Sequence, residues 1–344
     1  MRALITGGSG FLGGHLVDEC VRRGDQVRVL VRPTSDLGHL RTVPGIELVS
    51  GDLTDPASLH AATRGMDVVY HSAARVQDFG TRAQFWAANV TGTRNLLAAA
   101  RSSGVPRFVH VSSPSAVMSG DPQIDIDESV RYPDRFLNLY SETKAVAEQI
   151  VLDANSRQLT TCAIRPRGIW GPRDRTGFLP RLLAKLHRGT LPDLSGPEPV
   201  HASLCHCHNA ASACRLAAVS DRVGGRAYFV ADAERIDVWA LIARVAELFD
   251  LRPPTRRVPG PLLAGAVGLV ELLWQVPPLA RRRPPPVSRY GLALLTRTST
   301  YDTRASSRDF GYRPGVDLET GLAQLKHWVE EIGGVAALAR EARE

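Results

Sequence analysis

The chain has 344 residues and a formal net charge of +7, with 42 lysines and arginines against 35 aspartates and glutamates. This length corresponds to about two domains, and the shares of charged (22%) and hydrophobic (44%) residues are typical of a globular protein, which excludes a disordered chain. The basic residues are scattered without a run of five like charges, and only 6% of the residues are aromatic, so we expect no nucleic acid partner.

The first half of the chain alternates short aliphatic runs with longer segments of helical periodicity. Predicted strands are Ala3–Thr6, Gln26–Val31, Ile46–Ser50, Val68–His71, Arg107–Ser112 and Thr160–Arg165. Predicted helices are Gly10–Arg23, Ala57–Thr63, Ala88–Ser102 and Tyr140–Ala154. Strands joined through helices require right-handed crossovers, so we predict an α/β fold with a doubly wound parallel sheet.

After Gly168 the alternation becomes weaker. Further predicted elements are the strands Ala202–His206 and Ala227–Ala231 and the helices Asn209–Ser220, Val238–Phe249, Leu262–Val276 and Leu318–Glu331. We therefore expect residues 1–168 with 202–231 to form the sheet domain, and residues 169–201 with 232–344 to form a smaller, mostly helical C-terminal lobe.

A glycine-rich turn, Thr6-Gly-Gly-Ser-Gly-Phe-Leu-Gly13, joins the first predicted strand to the first helix. Gly7 allows the tight turn, Gly10 lets the backbone approach a pyrophosphate, and Gly13 allows close packing of helix and strand. The helix N-terminus adds N–H groups and the positive end of its dipole. Because the turn lies between a strand and a helix, it has the context that a dinucleotide site requires. The sheet domain is therefore predicted to be a Rossmann-like, dinucleotide-binding domain.

The spacing Thr-Gly-x-x-Gly-x-x-Gly resembles that of the extended short-chain dehydrogenase/reductase family. Further motifs of that family follow in order: Gly51-Asp52-Leu53, His71-Ser72-Ala73-Ala74, Asn89-Val90-Thr91-Gly92-Thr93, and Arg165-Pro166 before Gly171-Pro172. The resemblance implies that Asp52 and Leu53 flank the adenine and that the segment containing Ala73 lines the path of the cofactor. The full set of implied cofactor-binding residues is Gly7, Gly10, Phe11, Leu12, Gly13, Arg32, Asp52, Leu53, Ala73, Asn89 and Lys144.

The second predicted strand ends at Val31-Arg32-Pro33-Thr34-Ser35. A site for NAD usually has an acidic residue here, which accepts hydrogen bonds from the ribose 2′-hydroxyl, whereas an arginine suits the 2′-phosphate of NADP. No acidic residue occurs before Asp36, so Arg32, with Thr34 and Ser35, favours NADP(H) over NAD(H). An exposed arginine without a ligand is the competing interpretation.

Tyr140 and Lys144 are one helical turn apart and so lie on one face of a helix. A lysine ammonium beside a phenol stabilises the phenolate and makes the tyrosine a better proton donor near neutral pH. Only three of the 42 basic residues are lysines, which makes this spacing more informative. An exposed helical pair is the alternative.

Ser112 and Ser113 end the preceding strand. In the family that the chain resembles, a serine or threonine at this place forms a hydrogen bond with the substrate oxygen, and we expect Ser113 to be that residue, with Ser112 as the alternative. The resemblance further implies that Tyr140 exchanges the proton, that Lys144 binds the nicotinamide ribose, and that a hydride passes between the nicotinamide and the substrate.

Two strings distinguish branches of the family. Members acting on nucleotide sugars carry SSxxVYG and NVYGPRQ-like strings, whereas here Met118 replaces the first tyrosine and Ile169-Trp170 replaces the Val-Tyr pair. The string RPRGIWGP and the stretch Asp302–Pro314 resemble the branch of 3β-hydroxysteroid dehydrogenases and 2-alkyl-3-oxoalkanoate reductases. The resemblance implies a hydrophobic ketone or secondary alcohol as substrate, either a 3-oxoacyl (β-keto acid) or a sterol-like compound.

Cys205, His206, Cys207 and His208 are all of metal-binding type. On a strand, however, alternate side chains point to opposite faces, and a zinc site needs ligands that converge. We therefore expect no metal, and we expect Asn209 to cap the helix that follows.

Five cysteines are too few and odd in number for a disulfide framework, and the first strand begins too early to leave space for a signal peptide. We therefore expect a cytoplasmic protein. The apolar segment Leu262–Val276, followed by Arg281–Arg283, is shorter than the ~20 residues of a membrane span. Peripheral membrane contact through this segment is an alternative to the favoured interpretation, a helix that covers an apolar pocket.

Together these features predict an NADP(H)-dependent oxidoreductase that interconverts a ketone and a secondary alcohol on a hydrophobic substrate. The alternative is a nucleotide-sugar epimerase or dehydratase with tightly bound NAD. A nucleotide sensor or structural subunit is disfavoured, since such relatives often lack the Tyr140–Lys144 pair. The resemblance also implies a homodimer formed through the helices Ala88–Ser102 and Tyr140–Ala154.

Overall fold

The computed structural model describes residues 1–76, 80–175, 177–258 and 289–341, with the single positions 265 and 270. Its strands are β1 (Arg2–Thr6), β2 (Gln26–Val31), β3 (Glu47–Ser50), β4 (Val68–His71), β5 (Arg107–Val111), β6 (Gln123–Ile126), β7 (Thr160–Pro166), β8 (Ile169–Trp170), β9 (His201–Ser203), β10 (Cys205–His206), β11 (Arg226–Val230), β12 (Arg235–Asp237) and β13 (Ser299–Tyr301). Its helices are α1 (Phe11–Arg22), α2 (Pro56–Thr63), α3 (Arg82–Phe85), α4 (Gly92–Ser102), α5 (Leu139–Asp153), α6 (Phe178–His187), α7 (Cys207–Val219), α8 (Val238–Leu248), α9 (Arg289–Thr296), α10 (Arg304–Phe310), α11 (Leu318–Glu331) and α12 (Gly334–Glu341).

Seven strands form the main sheet in the order β11-β7-β5-β4-β1-β2-β3. Every neighbouring pair is parallel, which confirms the predicted Rossmann-like α/β fold. The strand order reverses between β1 and β4, and a crevice at the carboxyl ends of the strands is the usual ligand site of such a sheet.

Helices cover both faces of this sheet. Apolar side chains of α1 and α7 pack on one face, and those of α2, α4 and α5 pack on the other. Because both faces are covered, the central strands are almost continuously apolar and buried; all four residues of β4 are buried, for example. This is the pattern expected for parallel strands.

A second hydrophobic core lies beside the main sheet. It is formed by Trp170 together with apolar residues of α6, α8, α11 and α12. A smaller sheet, in the order β12-β9-β13-β6, accompanies it. The chain crosses between the two parts, since β6 comes from the first 168 residues, while Phe310 and Tyr312 from the last part pack in the core of the main sheet. The exact division into domains stays a prediction.

The predicted strand Ala202–His206 is wrong as a single element. It is divided into β9, which pairs with β12 and β13, and β10, which pairs with β8. The strands β6, β12 and β13 have four residues or fewer, too short for a periodic signal, and the sequence does not predict them. Apart from two single positions, the predicted helix Leu262–Val276 lies outside the described residues, and with it both its expected role as a cover of an apolar pocket and the alternative of membrane contact. In the described part of the chain, every helix is too short or too polar to cross a bilayer.

A buried ion pair holds α5 against the sheet. Arg165 on β7 donates two hydrogen bonds to Glu148 on α5, with N–O distances of 2.9 and 2.6 Å. The hydroxyl of Tyr132 donates a third to the same carboxylate at 2.6 Å. Burial alone raises the pKa of Glu148, but Arg165 outweighs this effect and the net pKa is lowered, so the group is a carboxylate at neutral pH.

The glycine turn between β1 and α1 depends on close backbone contacts. Gly7 has a φ of +73°, and a Cβ atom there would lie 2.7 Å from the nitrogen of Ala73. A Cβ atom on Gly13 would lie 2.0 Å from the carbonyl oxygen of Gly7. Only glycine therefore allows the turn to close at these two positions.

We predict that Arg165→Met lowers the free energy of unfolding by about 3–5 kcal/mol, because the carboxylate of Glu148 is then buried without its cation. Glu319→Gln breaks the exposed pair of Arg244 and Glu319 and serves as the control, with an expected loss below about 1 kcal/mol. Urea unfolding of both variants measures the difference. Equal losses would contradict this account of the buried pair.

We predict that Gly13→Ala destabilises the protein, because the added methyl group overlaps the backbone of Gly7. Gly14→Ala is the matched control, since its Cβ atom meets its nearest neighbours at 3.5 Å, an ordinary contact. In the control the higher helix propensity of alanine adds about 1 kcal/mol or leaves stability unchanged. In thermal unfolding, Gly13→Ala should therefore lower the Tm, whereas Gly14→Ala should raise it or leave it unchanged. A similar decrease of the Tm in both variants would refute the steric explanation.

Candidate functional site

The N-terminus of α1 offers backbone donors at the switch point of the sheet. The N-cap residue of α1, Gly10, has no side chain that could cap the helix, and its own N–H donates to the carbonyl oxygen of Gly7 at 2.9 Å. The first-turn N–H groups, those of Phe11, Leu12 and Gly13, thus face the crevice without a capping side chain. An uncapped helix start beside β1 and β4 fits the pyrophosphate of a dinucleotide.

The end of β2 carries the residues predicted to select the cofactor. The side chain of Arg32 is exposed, and the hydroxyl of Ser35 accepts a hydrogen bond from the backbone N–H of Arg32 at 3.0 Å. The carboxylate of Asp36 accepts from the N–H of Gly38 at 2.9 Å. The nearest acid after β3, Asp52, accepts hydrogen bonds from Thr54, which lower its pKa, with a smaller effect from Arg32.

Asn89 holds the loop after β4 in place. Its amide nitrogen donates to the carbonyl oxygen of Arg75 at 3.1 Å and to the hydroxyl of Thr143 at 3.0 Å, while its oxygen accepts from the N–H of Arg75 at 2.7 Å. Because the side chain is buried and occupied in this way, it positions the loop that contains Ala73 against α5. Leu53 packs against the start of α4, within 2.9 Å of the place where a Cβ of Gly92 would lie.

Tyr140 and Lys144 lie in the first turns of α5. Asn138 caps this helix by accepting a hydrogen bond from the N–H of Ser141 at 2.8 Å. Tyr140 is half-buried, whereas Lys144 is only 2% exposed. The ammonium of Lys144 donates to the carbonyl oxygen of Val111 at 2.5 Å, which anchors it to the end of β5.

Burial lowers the pKa of Lys144 to about 8, and the carboxylate of Glu148 limits the decrease. The lysine is therefore largely protonated at neutral pH. Two buried histidines are close to it, His110 with Nε2 at 3.4 Å from the ammonium, and His71, whose pKa is lowered to about 3 by burial and by Lys144. Burial and Lys144 also lower the pKa of His110, so both histidines are neutral and Lys144 carries the charge.

Neither His110 nor Glu148 was predicted from the sequence to be part of the site. Glu148 follows Lys144 by four residues, and residues at this spacing lie on the same helix face, so Glu148 could have been predicted as a neighbour of Lys144. His110 comes from β5, and its contact with Lys144 depends on how α5 packs on the sheet, for which the local sequence contains no signal.

Ser113 and Ser112 have different surroundings. Ser113 begins a short 3-10 turn, Pro114–Val117, against which α5 packs, and its hydroxyl accepts a hydrogen bond from the N–H of Ser115 at 3.2 Å. Ser113 also lines a cavity between the main sheet and the second core. Ser112 is 4% exposed and is absent from that lining. The assignment of Ser113 rather than Ser112 stays a prediction, which this placement favours.

The cavity is mainly apolar. Among the described residues that line it, the larger apolar ones are Met118, Phe178, Leu204, Ile236, Leu241 and Leu294. Arg167 is the one charged residue of that described lining. The apolar walls come mainly from the second core, whereas Ser113 and Arg167 lie on the segments that follow β5 and β7 of the main sheet. The cavity therefore forms only where the main sheet meets the second part of the chain.

Cys207 and His208 lie in the first turn of α7 rather than on a strand, so the alternation of side chains expected for a strand does not separate them. Ligand atoms of these two residues and of His15 lie within 4.8 Å of one another. However, Nδ1 of His15 accepts a hydrogen bond from Arg173 at 2.7 Å, and Nε2 lies 2.9 Å from the carbonyl oxygen of Pro172. Both nitrogens of this ring are thus occupied, and the absence of a metal stays a prediction.

The expected cap of Asn209 is wrong. Since α7 begins at Cys207, the capping residue is His206, whose ring accepts from the N–H of His208 at 3.4 Å. Asn209 lies within the helix and donates to Asp232 at 2.7 Å and to the carbonyl oxygen of Val316 at 2.8 Å. It therefore connects α7 to the segment before α11.

Comparison with known proteins agrees with this geometry. A model of the 3-beta hydroxysteroid dehydrogenase/isomerase family matches residues 4–259. The chain is 33% identical to a 2-alkyl-3-oxoalkanoate reductase of Shewanella oneidensis, over 94% of this chain and 85% of the relative. It is 37% identical to a 3 beta-hydroxysteroid dehydrogenase/Delta 5-->4-isomerase of Mycobacterium tuberculosis, over 94% of this chain and 89% of the relative.

Among solved structures, MoeE5 in complex with UDP-glucose and NAD superimposes with a TM-score of 0.71 and 25% identity, covering 96% of this chain and 99% of that one. A dinucleotide turn, a Tyr-Lys pair on α5 and the extent of the family match lead to one conclusion. The chain belongs to the 3-beta hydroxysteroid dehydrogenase/isomerase family of extended short-chain dehydrogenases/reductases and is an NAD(P)-dependent oxidoreductase.

Proposed function

We propose that this protein is an NADP(H)-dependent enzyme that interconverts a ketone and a secondary alcohol on a hydrophobic substrate of the 3-oxoacyl or sterol-like kind. The observation that carries the proposal is the apolar cavity that Ser113 lines beside α5. A mainly apolar cavity with a few hydroxyl groups, close to the helix that carries Tyr140 and Lys144, suits a hydrophobic ketone. The names of the two relatives above, a reductase of an oxoalkanoate and a hydroxysteroid dehydrogenase, point to the same kind of substrate.

Two side chains of the protein act on the substrate oxygen. The hydroxyl of Ser113 donates a hydrogen bond to the substrate carbonyl oxygen, which orients and polarises it. The phenol of Tyr140 donates its proton to that oxygen during reduction and takes a proton back during oxidation. When bound, the nicotinamide cofactor supplies or accepts the hydride.

Lys144 supports Tyr140 electrostatically. Its charged ammonium lies one helical turn beyond the phenol and stabilises negative charge that develops on the phenol oxygen. Anchored to the carbonyl oxygen of Val111, the ammonium keeps donors available for the nicotinamide ribose. The adjacent ion pair of Glu148 and Arg165 holds this section of α5 in place.

Arg32 supports NADP(H) as the cofactor. Its guanidinium is exposed at the end of β2, where the ribose 2′-phosphate lies in a dinucleotide site of this type. The nearby carboxylate of Asp36 is directed to the N–H of Gly38. A phosphate with a bidentate guanidinium is a stronger interaction than a ribose hydroxyl could make there.

We predict that Tyr140→Phe lowers kcat by about 10²–10⁴-fold in NADPH-dependent ketone reduction, because the proton donor is lost. NADPH binding, measured by fluorescence titration, should stay unchanged, since the ring is retained. The control Tyr228→Phe removes a hydroxyl on β11 that donates to Asp309 and should keep kcat within a few-fold. Full activity of the Tyr140 variant would exclude the proposed acid–base role. Stoichiometric NAD in the purified protein, without net NADPH oxidation by any ketone, would instead favour a nucleotide-sugar epimerase.

We predict that Arg32→Ala raises the KM for NADPH about 10- to 100-fold, which corresponds to a lost charge-assisted hydrogen bond of about 1.5–3 kcal/mol. The KM for NADH should change little, since NADH lacks the 2′-phosphate. Arg340→Ala removes an exposed arginine on α12 and should change neither value. Equal effects on the two cofactors would show that Arg32 does not select between them.

A further inference from the structure

Arg167 is a buried arginine whose charge the described protein does not neutralise. Its side chain is 6% exposed. Its hydrogen bonds go to two neutral oxygens, the hydroxyl of Ser299 at 2.7 Å and the carbonyl oxygen of Ser203 at 3.4 Å. Its Nε–H is buried without a partner. Among the described residues, no carboxylate forms an ion pair with it.

The arginine two residues earlier shows how this chain otherwise buries such a group. Arg165 is buried to a similar degree, and Glu148 neutralises it through two hydrogen bonds. A buried charge without a counter-ion lowers the stability of a protein, so a buried arginine is usually paired with an anionic group, either of the protein or of a ligand. Arg167 therefore has the donors and the charge to bind an anion, and the described chain supplies no anion.

The position of Arg167 indicates which anion that is. The residue lines the same apolar cavity as Ser113, the proposed donor to the substrate carbonyl oxygen. Tyr301, which lies next to the guanidinium, has a pKa raised by burial and is neutral, so it does not balance the charge. A ligand bound in this cavity would meet apolar walls, the hydroxyl-bearing residues Ser113, Ser115 and Tyr290, and the cation of Arg167.

We propose that Arg167 is a specificity-determining residue that binds a carboxylate of the substrate, so that the preferred substrates are hydrophobic 3-oxo acids rather than uncharged sterols. The inference rests on the proposed function and makes it narrower. A 3-oxo acid carries its carboxylate two carbons from the ketone carbon, and an arginine binds a carboxylate through two parallel hydrogen bonds. The apolar walls then hold the alkyl chain.

The test compares a 3-oxo acid with its methyl ester, which has the same chain and ketone but no charge. With the wild-type enzyme, kcat/KM for freshly prepared 3-oxododecanoate should exceed that for methyl 3-oxododecanoate at least tenfold. Arg167→Met should reduce this ratio to about one. The change should come mainly from a lower kcat/KM for the acid, while kcat/KM for the ester is retained. Because the readout is a ratio within each variant, a general loss of structure does not imitate it. Arg340→Met, the same exchange at an exposed site, should keep the wild-type ratio.

Binding without turnover provides a second measurement. Decanoate should raise the Tm of the wild-type protein more than 1-decanol does at equal concentration, and this difference should vanish in Arg167→Met. Should that variant fail to fold, the wild-type comparison decides by itself: equal stabilisation by the acid and the alcohol overturns the proposal. Turnover of esters and steroid ketones without a preference for the acid would refute the role of Arg167 and leave the proposed function intact. If no ketone supports NADPH oxidation, the proposed function itself fails.

Discussion

The ion pair between Arg165 and Glu148 is the interaction on which the site depends. It connects the last residues of β7 to the middle of α5, in a place from which water is excluded. Because a buried carboxylate and guanidinium are costly to separate, the helix has little freedom to slide along the sheet. Lys144 lies one turn before Glu148, and Tyr140 one turn before that, so the register of the helix decides where both chemical groups lie.

The same pair also sets the electrostatics around Lys144. Burial reduces the affinity of this lysine for its proton, and Glu148 restores part of it. The histidines on β4 and β5 are neutral, so they separate the ammonium from water without competing for the charge. One carboxylate thus has two functions: it neutralises Arg165, and it keeps Lys144 charged at neutral pH.

Two arginines at the carboxyl end of β7, Arg165 within the strand and Arg167 directly after it, illustrate opposite uses of one residue type. Arg165 pairs with the carboxylate of Glu148 and so stabilises the protein, whereas Arg167 lines the cavity and has only neutral hydrogen-bond partners. The same segment thus connects the structural part of the site to the substrate cavity. The apolar walls of the cavity come mainly from the second core, while Ser113 and Arg167 extend to it from the segments that follow β5 and β7 of the main sheet.

The strands of the main sheet and the glycine turn could be predicted from sequence. Runs such as Val68–His71 are short, continuous and apolar, and Gly7 and Gly13 are required where backbone segments nearly touch. The short strands β6, β12 and β13 could not be predicted, because three or four residues that mix polar and apolar types form neither an apolar run nor a periodic pattern. The start of α7 at Cys207 was predicted two residues too late, at Asn209, because the residue that caps the helix, His206, is not of a type that usually caps helices, whereas Asn209 is. The homodimer through α4 and α5 stays a prediction.

The sequence alone determined the family, the dinucleotide turn and the Tyr140–Lys144 pair, because these depend on residues that are close in the chain and on the fixed periods of helix and strand. Only the tertiary structure decided that Glu148 pairs with Arg165, that His110 contacts Lys144 and that Arg167 shares a cavity with Ser113. These contacts join residues 17 to 54 positions apart. Their formation depends on the packing of helices against strands, which no local pattern encodes.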